Sequence, residues 1–428
     1  MTDARRAVPR TDSVLGDPQI ADAIDRLGHA GVKRVVVEQL ARVRAGDLAA
    51  HEVVGASLDA LPTGSSELAP VLNATGILIH TNLGRAPLSR AAVESVVRAA
   101  GSTNVELDLT TGQRGSRGLG ARSALAAAVP LAGDVHVVNN GAAALGLVTT
   151  MLARGRHIVI ARGELVEIGD GFRIPDLLES FGAELRPVGT TNRVRFEDYA
   201  AAIDESVGFV LKVHPSNFRV VGFTSSVATA ELARLPVPVV ADIGSGLLAP
   251  HPRLPDEPDA RTALKDGASL VTASGDKLLG GPQCGLILGR ADLVAQLRRH
   301  PASRALRVDK LTLAALEATL TGPTPPVTAA LAASVDSLYE RACTVAKAIG
   351  EPAEAVRSIA QVGGGGAPGV DLPSAAVALP QRLAAALRSG AHPVLGRLHG
   401  DRLLLDLLAV APGDDPHLIA LVRRVLAT

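Results

Sequence analysis

The sequence predicts an α/β protein built on a mostly parallel β-sheet. Short β-rich apolar runs alternate with helical segments from about residue 71 to 305. Continuous apolar runs spaced by helices are typical of parallel strands that are buried on both faces of a sheet. With 428 residues, the chain is long enough for two or three domains around a large core. The predicted strands are VHVVN, HIVIA, ELRPVG, GFVLKVH, VPVVADIG, SLVTAS and GLILG.

Helical segments and a linker flank this region. Residues 13–60 carry apolar residues three and four apart, which predicts two or three short helices, and LPTGSSELAP at 61–70 is a linker of turn-forming residues. Helical patterns also cover 309–321 and 327–349, and RLLLDLLAV predicts a strand near the end of the chain. We therefore predict a helical N-terminal domain over 1–62, a large α/β domain over 63–308 and a small α+β domain over 309–428.

The composition excludes several classes of protein. The chain is 47% hydrophobic and 20% charged, which indicates a globular protein, and its 43 basic residues balance its 43 acidic ones. Cys284 and Cys343 are too few for a disulfide framework or, without histidines, a zinc site, so we expect reduced thiols and no metal. The N-terminus lacks a signal-peptide core and no run is long enough to span a membrane, so we expect a soluble cytoplasmic protein.

Polar residues directly follow three of the predicted strands. Asn140 and Gly141 open the helix AAALGLVTTML, whose N-terminal N–H groups can bind an anion. Asp242 follows VPVVA, and Lys277 lies in the segment SGDK that follows SLVTA. Ligands of open α/β sheets bind beyond the carboxyl ends of the strands, so these groups are candidates for one site.

An anion site, a strand-end carboxylate and a strand-end lysine fit pyridoxal 5'-phosphate. The phosphate would lie at Gly141, Lys277 would form the Schiff base with the aldehyde, and Asp242 would keep the pyridine nitrogen protonated. Only six of the 43 basic residues are lysine, and an arginine could not form this bond. Taken singly, Asp242 could be a helix cap and Lys277 a solvated charge. The predicted cofactor contacts are Lys277, Asp242, Asn140, Gly141, Ala142, Ser245 and Ser274.

Two glycine-rich runs are interpreted as plain loops. GGGG at 363–366 lacks the Gly-Lys-Ser/Thr ending of a phosphate loop, and GSRGLG at 115–120 lacks both a preceding strand and dinucleotide spacing. Neither run is therefore part of the predicted site.

Five longer motifs occur in order along the chain: VLNATGILIHTNLGRAPLS (71–89), RGELVEIGDGFRIPD (162–176), VGTTNR (188–193), SGDKLLGGPQCG (274–285) and RALRVDKLTLAALEATL (304–320). Together they resemble the family of bacterial selenocysteine synthase, or L-seryl-tRNA(Sec) selenium transferase, over about residues 70 to 320. The resemblance implies fold type I of the pyridoxal-phosphate-dependent transferases, with a seven-stranded, mostly parallel sheet. The chain departs from the family pattern at Gly141, where a third Asn is expected, and at Pro215, where Thr is usual.

The resemblance also implies a reaction. Lys277 would be the Schiff-base lysine, Asp242 the pyridinium partner and Asp276 a second catalytic residue in the same pocket. Arg85, Arg304 and Arg307 would bind selenophosphate through charge-assisted hydrogen bonds, although composition alone would make the last two a helix-face ion pair. Seryl-tRNA(Sec) would lose water from Cβ, and selenium would add to the aminoacrylyl product to give selenocysteinyl-tRNA(Sec). An active site between two subunits and a homo-oligomer, a decamer built as a pentamer of dimers, are implied as well.

Two alternatives stay open at this point. Related lyases lack the tRNA step and eliminate ammonia or water from small amino acids or amino sugars. The predicted N-terminal domain favours the tRNA reaction, although the net charge of residues 1–50 is only +1 and a solvated helical face would look similar. A catalytically silent RNA-binding or assembly protein is disfavoured by the presence of Lys277, Asp242 and the three arginines. The side chain that stacks on the cofactor ring is not identified.

Overall fold

The structure is a computed structural model that describes residues 8–62, 64, 66, 68–169, 171–390 and 392–427. Some predictions fall on residues outside this set. The predicted N-terminal domain includes residues 1–7, the predicted large domain begins at Thr63, the second motif contains Asp170 and the predicted C-terminal domain ends at Thr428. The chain divides into two compact units, one running to Leu72 with Ala384–Leu395 and the other comprising Asn73–Leu383 with Gly396–Thr428. The three predicted domains stay a prediction.

The first unit contains four helices packed on their own apolar cluster, which includes Ile20, Val36 and Leu40. The side chain of Asp17 caps the second helix by accepting a hydrogen bond of 2.9 Å from the N–H of Gln19. Gly28, with φ of 84°, separates the second helix from the third, because a residue in that conformation cannot continue a helix. The helices are α1 (Thr11–Leu15), α2 (Pro18–Leu27), α3 (His29–Ala45) and α4 (Val53–Ala60).

The main sheet of the second unit has seven strands, and every strand predicted from the apolar runs is present. The spatial order is β3-β11-β10-β9-β8-β4-β7, and β11 pairs antiparallel with both β10 and β3 while the other neighbours are parallel. The predicted α/β class is therefore confirmed. The strands are β3 (Asp134–Val138), β4 (His157–Ala161), β7 (Glu184–Val188), β8 (Val207–Val213), β9 (Val239–Asp242), β10 (Leu270–Ser274) and β11 (Gly285–Gly289).

Helices cover both faces of this sheet, which explains why its strands are continuously apolar. In β11, Leu286 and Leu288 belong to one buried cluster, and Ile287 between them belongs to the cluster on the opposite face. The helices of this unit are α5 (Arg90–Ala100), α6 (Leu119–Ala128), α7 (Gly141–Leu152), α8 (Ile174–Ser180), α9 (Phe196–Ala200), α10 (Thr229–Leu232), α11 (Ala260–Lys265), α12 (Ala291–Arg299), α13 (Pro301–Ala305), α14 (Lys310–Thr321), α15 (Pro326–Ala332), α16 (Val335–Ile349) and α18 (Asp415–Leu426). Helix α17 (Leu383–Arg388) belongs to the first unit except for Leu383.

A second sheet of six strands has the order β1-β14-β15-β13-β12-β2. Only the first five residues of RLLLDLLAV lie in a strand, and the helical stretch predicted over 327–349 is split, because the Ser334 hydroxyl accepts from the N–H of Ser337 and starts a new helix. Two further strands, β5 (Glu167–Gly169) and β6 (Phe172–Arg173), form a hairpin. The six strands are β1 (Leu72–Ala74), β2 (Ile77–Ile79), β12 (Glu354–Gly363), β13 (Asp371–Pro380), β14 (Val394–His399) and β15 (Arg402–Asp406).

The topology brings several chain segments to one edge of the main sheet. The parallel strands β8, β9 and β10 end there, and β3 leads at the same edge into the N-terminus of α7. Among the described residues, no helix combines the length and the apolar character that a membrane crossing requires. The carboxyl edge of the parallel strands is therefore the place to look for a site.

Candidate functional site

Lys277 lies in the turn after β10, and only 6% of its surface is exposed. Burial and the guanidinium of Arg85 lower the pKa of its amine, and the carboxylates of Asp242, Asp276 and Glu257 oppose that shift. A lysine with a lowered pKa spends a larger fraction of time as the neutral amine. The neutral amine is the form that acts as a nucleophile and as a base.

Asp242 is the last residue of β9, next to β10 in the sheet. Burial raises the pKa of its carboxyl, and a hydrogen bond of 2.8 Å from the hydroxyl of Thr272 to Oδ1 opposes that effect. A nearby cation would stabilise the charged form of this carboxyl. Asp242 and Lys277 line the same narrow cavity of about 60 Å³.

The N-terminus of α7 contributes Gly141 and Ala142 to this cavity, which Ser274 also lines. Asn140 caps the helix, and its side-chain oxygen accepts a hydrogen bond of 2.8 Å from the N–H of Ala143. A Cβ atom at Gly141 would lie 2.8 Å from the hydroxyl oxygen of Ser274, so a larger residue would require that side chain to move. The departure from the family pattern at Gly141 thus lets the helix start close to the strand.

Arg85 and Asp276 form an ion pair beside Lys277. Nη1 of Arg85 donates a hydrogen bond of 2.8 Å to Oδ2 of Asp276, and the backbone carbonyl of Asp276 accepts one of 3.2 Å from Ala86. Arg85 has φ of 67°, a left-handed conformation that costs a non-glycine residue energy and is found preferentially at functional sites. The Arg85 side chain is 36% exposed, so part of its guanidinium faces outward.

Arg304 and Arg307 line a different cavity from Lys277. Both are exposed, and they line a cavity of about 470 Å³ with Arg117, Arg122 and Arg298, in which neither Lys277 nor Arg85 takes part. Within one chain, the structure therefore brings Arg85 to Lys277 but not Arg304 or Arg307. Their role in binding the anion stays a prediction.

Four groups near the site were not predicted. His214 follows β8 and shares the narrow cavity with Asp242. Its position directly after a strand is the signal that could have predicted it. Thr272, Glu257 and Gly365 carry no signal in the sequence, because each acts through a partner that is distant along the chain. A Cβ atom at Gly365 would lie 2.6 Å from Nζ of Lys277, so the GGGG run interpreted as a plain loop passes directly against the lysine.

A larger cavity of about 370 Å³ adjoins the narrow one, because Val213, His214 and Asp242 line both. The Lys212–Glu164 ion pair and Arg193 lie on its wall, along with several hydroxyl side chains. Among the described residues, no group of three His, Cys, Asp or Glu side chains is placed to hold a metal ion. The arrangement offers a buried amine, a buried carboxylate and a helix N-terminus around one cavity.

The fold is that of the type I pyridoxal-phosphate-dependent transferases. The solved structure of D-glucosaminate-6-phosphate ammonia-lyase superposes with a TM-score of 0.60 at 19% identity, over 84% of this chain and 96% of that one, a likeness that shows the fold alone. Residues 71–411 match the family model described as L-seryl-tRNA selenium transferase, and residues 5–44 match that of the selenocysteine synthase N-terminal segment.

Full-length relatives agree with these matches. The L-seryl-tRNA(Sec) selenium transferase of Hyphomonas neptunium is 40% identical over 98% of this chain and 98% of its own length. The protein of the same name from Moorella thermoacetica is 44% identical over 85% of this chain and 83% of its own. This chain belongs to the L-seryl-tRNA(Sec) selenium transferase family.

Replacing Arg85 with Met is expected to raise the pKa of Lys277, because the change removes a positive charge beside the amine and releases the carboxylate of Asp276 from its partner. The titration midpoint of the Lys277 amine can be followed by ¹³C NMR of the reductively methylated protein without cofactor. The chain has six lysines to assign. Arg90→Met is the matched control, because its side chain is 93% exposed. An unchanged or lower midpoint in Arg85→Met would contradict this electrostatic description of the site.

Proposed function

We propose that this protein converts L-seryl-tRNA(Sec) to L-selenocysteinyl-tRNA(Sec), with pyridoxal 5'-phosphate as cofactor and selenophosphate as selenium donor. The observation that carries the proposal is the buried amine of Lys277 beside Asp242, in a chain of the L-seryl-tRNA(Sec) selenium transferase family. A silent scaffold would have no use for a buried amine whose pKa is lowered. The small-substrate lyase is not favoured, since an N-terminal segment of the selenocysteine synthase type is present.

The residues around the cavity fit the proposed cofactor. Next to cavity residues, although not in its lining, Oγ of Ser245 and Oδ1 of Asp276 are buried without a hydrogen-bond partner among the described residues, so a bound group could satisfy them. Lys277 would hold the aldehyde carbon covalently, Asp242 the ring nitrogen, and the first turn of α7 the phosphate. When bound, pyridoxal phosphate supplies an electron-withdrawing ring that makes the Cα proton of an amino acid acidic.

The residues of the chain would handle the proton and the leaving group. Nζ of Lys277, whose pKa is lowered by burial and by Arg85, would take the proton from the seryl Cα. Asp276 and Glu257 would stabilise the ammonium that results. Lys277 would return that proton to the β-hydroxyl, which leaves as water. The Cβ carbon would then take up selenium from selenophosphate, whose P–Se bond is cleaved by water with release of phosphate.

Arg85 is the residue of this chain that could present a guanidinium fork to an anion beside Lys277. We propose that Arg304 and Arg307 complete the same anion site from a neighbouring subunit. Within one chain they lie in a cavity that does not include Lys277, so a second subunit would have to bring them to the lysine. We further propose a cytoplasmic decamer built as a pentamer of dimers, as the family resemblance implies.

The N-terminal helices would bind the tRNA. The basic residues there, spread over α2 and α3, can reach phosphates without a large net charge. They are Arg26, Lys33, Arg34, Arg42 and Arg44.

Replacing Lys277 with Ala is expected to remove the visible absorbance of the purified protein and to lower conversion of seryl-tRNA(Sec) by roughly 10²–10⁴-fold or more, since both the covalent link and the base are lost. Absorbance spectra and a reconstituted assay with selenophosphate measure the two effects. Lys265→Ala, at an exposed lysine, should change neither. A visible band that survives in Lys277→Ala would refute the assignment of the lysine.

Removing residues 1–62 is expected to weaken binding of seryl-tRNA(Sec) by roughly tenfold or more, because the basic helices contribute phosphate contacts. A gel shift at fixed salt concentration measures the change. The truncated protein should keep its visible absorbance, since the residues around Lys277 lie in the other unit. Unaltered tRNA binding would remove the proposed role of the domain.

Mixing two inactive variants tests the two-subunit site. Lys277→Ala refolded together with Arg307→Ala should regain up to about a quarter of the normal activity, because mixed dimers carry one intact site. Lys277→Ala mixed with Arg85→Ala is the control and should stay inactive, since both residues lie in one chain's site. Equal recovery in both mixtures, or none in the first, would contradict the assignment of Arg307 to a neighbour.

A further inference from the structure

Glu257 is a buried carboxylate in the loop before α11, and only 1% of its side chain is exposed. Its Oε2 atom accepts a hydrogen bond of 2.7 Å from the backbone N–H of Ala367 and lies 3.3 Å from Nε2 of His214. Its Oε1 atom is buried without a partner among the described residues. A buried carboxylate that is only partly satisfied costs stability, so its position calls for an explanation.

The residues that Glu257 joins come from two different parts of the site. His214 follows β8, and its backbone N–H donates a hydrogen bond of 3.0 Å to the carbonyl of Asp242. Ala367 directly follows the glycine segment, defined as Gly363–Gly366, and has φ of 44°. One carboxylate oxygen therefore connects the strand that neighbours Asp242 with the turn that follows β12.

The glycine segment is packed directly against the lysine and its turn. A Cβ atom at Gly365 would lie 2.6 Å from Nζ of Lys277, and one at Gly366 would lie 3.3 Å from a side-chain carbon of Leu278. Gly365 has φ of 96°, which other residues rarely adopt. The backbone of this segment thus forms one wall of the space in which the Lys277 amine can move.

We propose that Glu257 is a positioning residue, which holds the glycine segment against Lys277 and fixes His214 beside Asp242. The catalytic consequence rests on the proposed function, because the amine must leave its resting position and return during each turnover. When a charge-assisted hydrogen bond holds the glycine segment in place, Nζ of Lys277 is confined to a small set of positions. A mobile glycine segment would leave Nζ a larger set. The negative charge of Glu257 also acts on Lys277 directly and opposes the lowering of its pKa.

Hydrogen exchange of the protein without cofactor or tRNA tests the structural part. In Glu257→Ala, the peptide covering 363–370 should exchange roughly tenfold faster or more, because the Ala367 N–H loses its charged acceptor. Glu257→Gln keeps an acceptor oxygen and should restore most of the protection. Asp256→Asn is the matched control, since Asp256 directly precedes Glu257 and its side chain is exposed. This variant should exchange like the unaltered protein.

Turnover of seryl-tRNA(Sec) tests the catalytic part. In Glu257→Ala, kcat should fall roughly tenfold while KM for the tRNA stays within about twofold, since the residue positions the lysine and does not touch the tRNA. Should the Ala variant fail to fold, Glu257→Asp replaces it in both experiments. The shorter side chain withdraws the carboxylate from Ala367 by one methylene, so the peptide covering 363–370 should lose the same protection.

Unaltered exchange over 363–370 in a folded Ala or Asp variant would overturn the proposal, as would an unaltered kcat. A failure of the proposed function is distinguishable from both results. In that case the unaltered protein itself would not convert seryl-tRNA(Sec), while the exchange experiment would still measure the contact between Glu257 and Ala367.

Discussion

The burial of the Lys277 amine is the constraint on which the rest of the site depends. An amine that loses its hydration must either give up its charge or be surrounded by carboxylates. Here burial and Arg85 act in one direction, and the carboxylates of Asp242, Asp276 and Glu257 act in the other. Asp242 ends a strand of the main sheet and Asp276 follows another, whereas Arg85 follows β2 of the second sheet, so both sheets contribute to the surroundings of the amine.

Close approach of backbone to side chain is the second requirement of this edge. Gly141 allows α7 to begin against Ser274, and Gly365 allows the turn after β12 to lie on Lys277. A Cβ atom would require the side chain of Ser274 to move at the first position and that of Lys277 at the second, and at Gly365 the backbone dihedral adds to that restriction. The space around the amine is thus bounded by backbone, which is less mobile than long side chains would be.

The three arginines have different positions relative to Lys277. Arg85 is tied to Asp276 and held in a strained conformation, so its guanidinium has a defined place beside the lysine. Arg304 and Arg307 lie with other arginines in a separate, exposed cavity. Arg298 is paired there with Asp134 and Arg117 with Glu106, so the proposed two-subunit site concerns Arg304 and Arg307. The N-terminal helices, with their own core, would leave this chemistry unchanged while adding the proposed contacts with tRNA.

The sequence by itself determined the seven strands, because each is a continuous apolar run that two helical layers must bury. It also determined Lys277 and Asp242 as candidates, because chain order alone places residues at the ends of strands, and the family through its long ordered motifs. Only the tertiary structure decided the contacts of Glu257 with Ala367, 110 positions away, and of Arg85 with Asp276, 191 positions away. It also decided the separation of Arg304 from Lys277. Local spacing carries the period of a strand or helix, whereas contacts between distant segments exist only once the chain has folded.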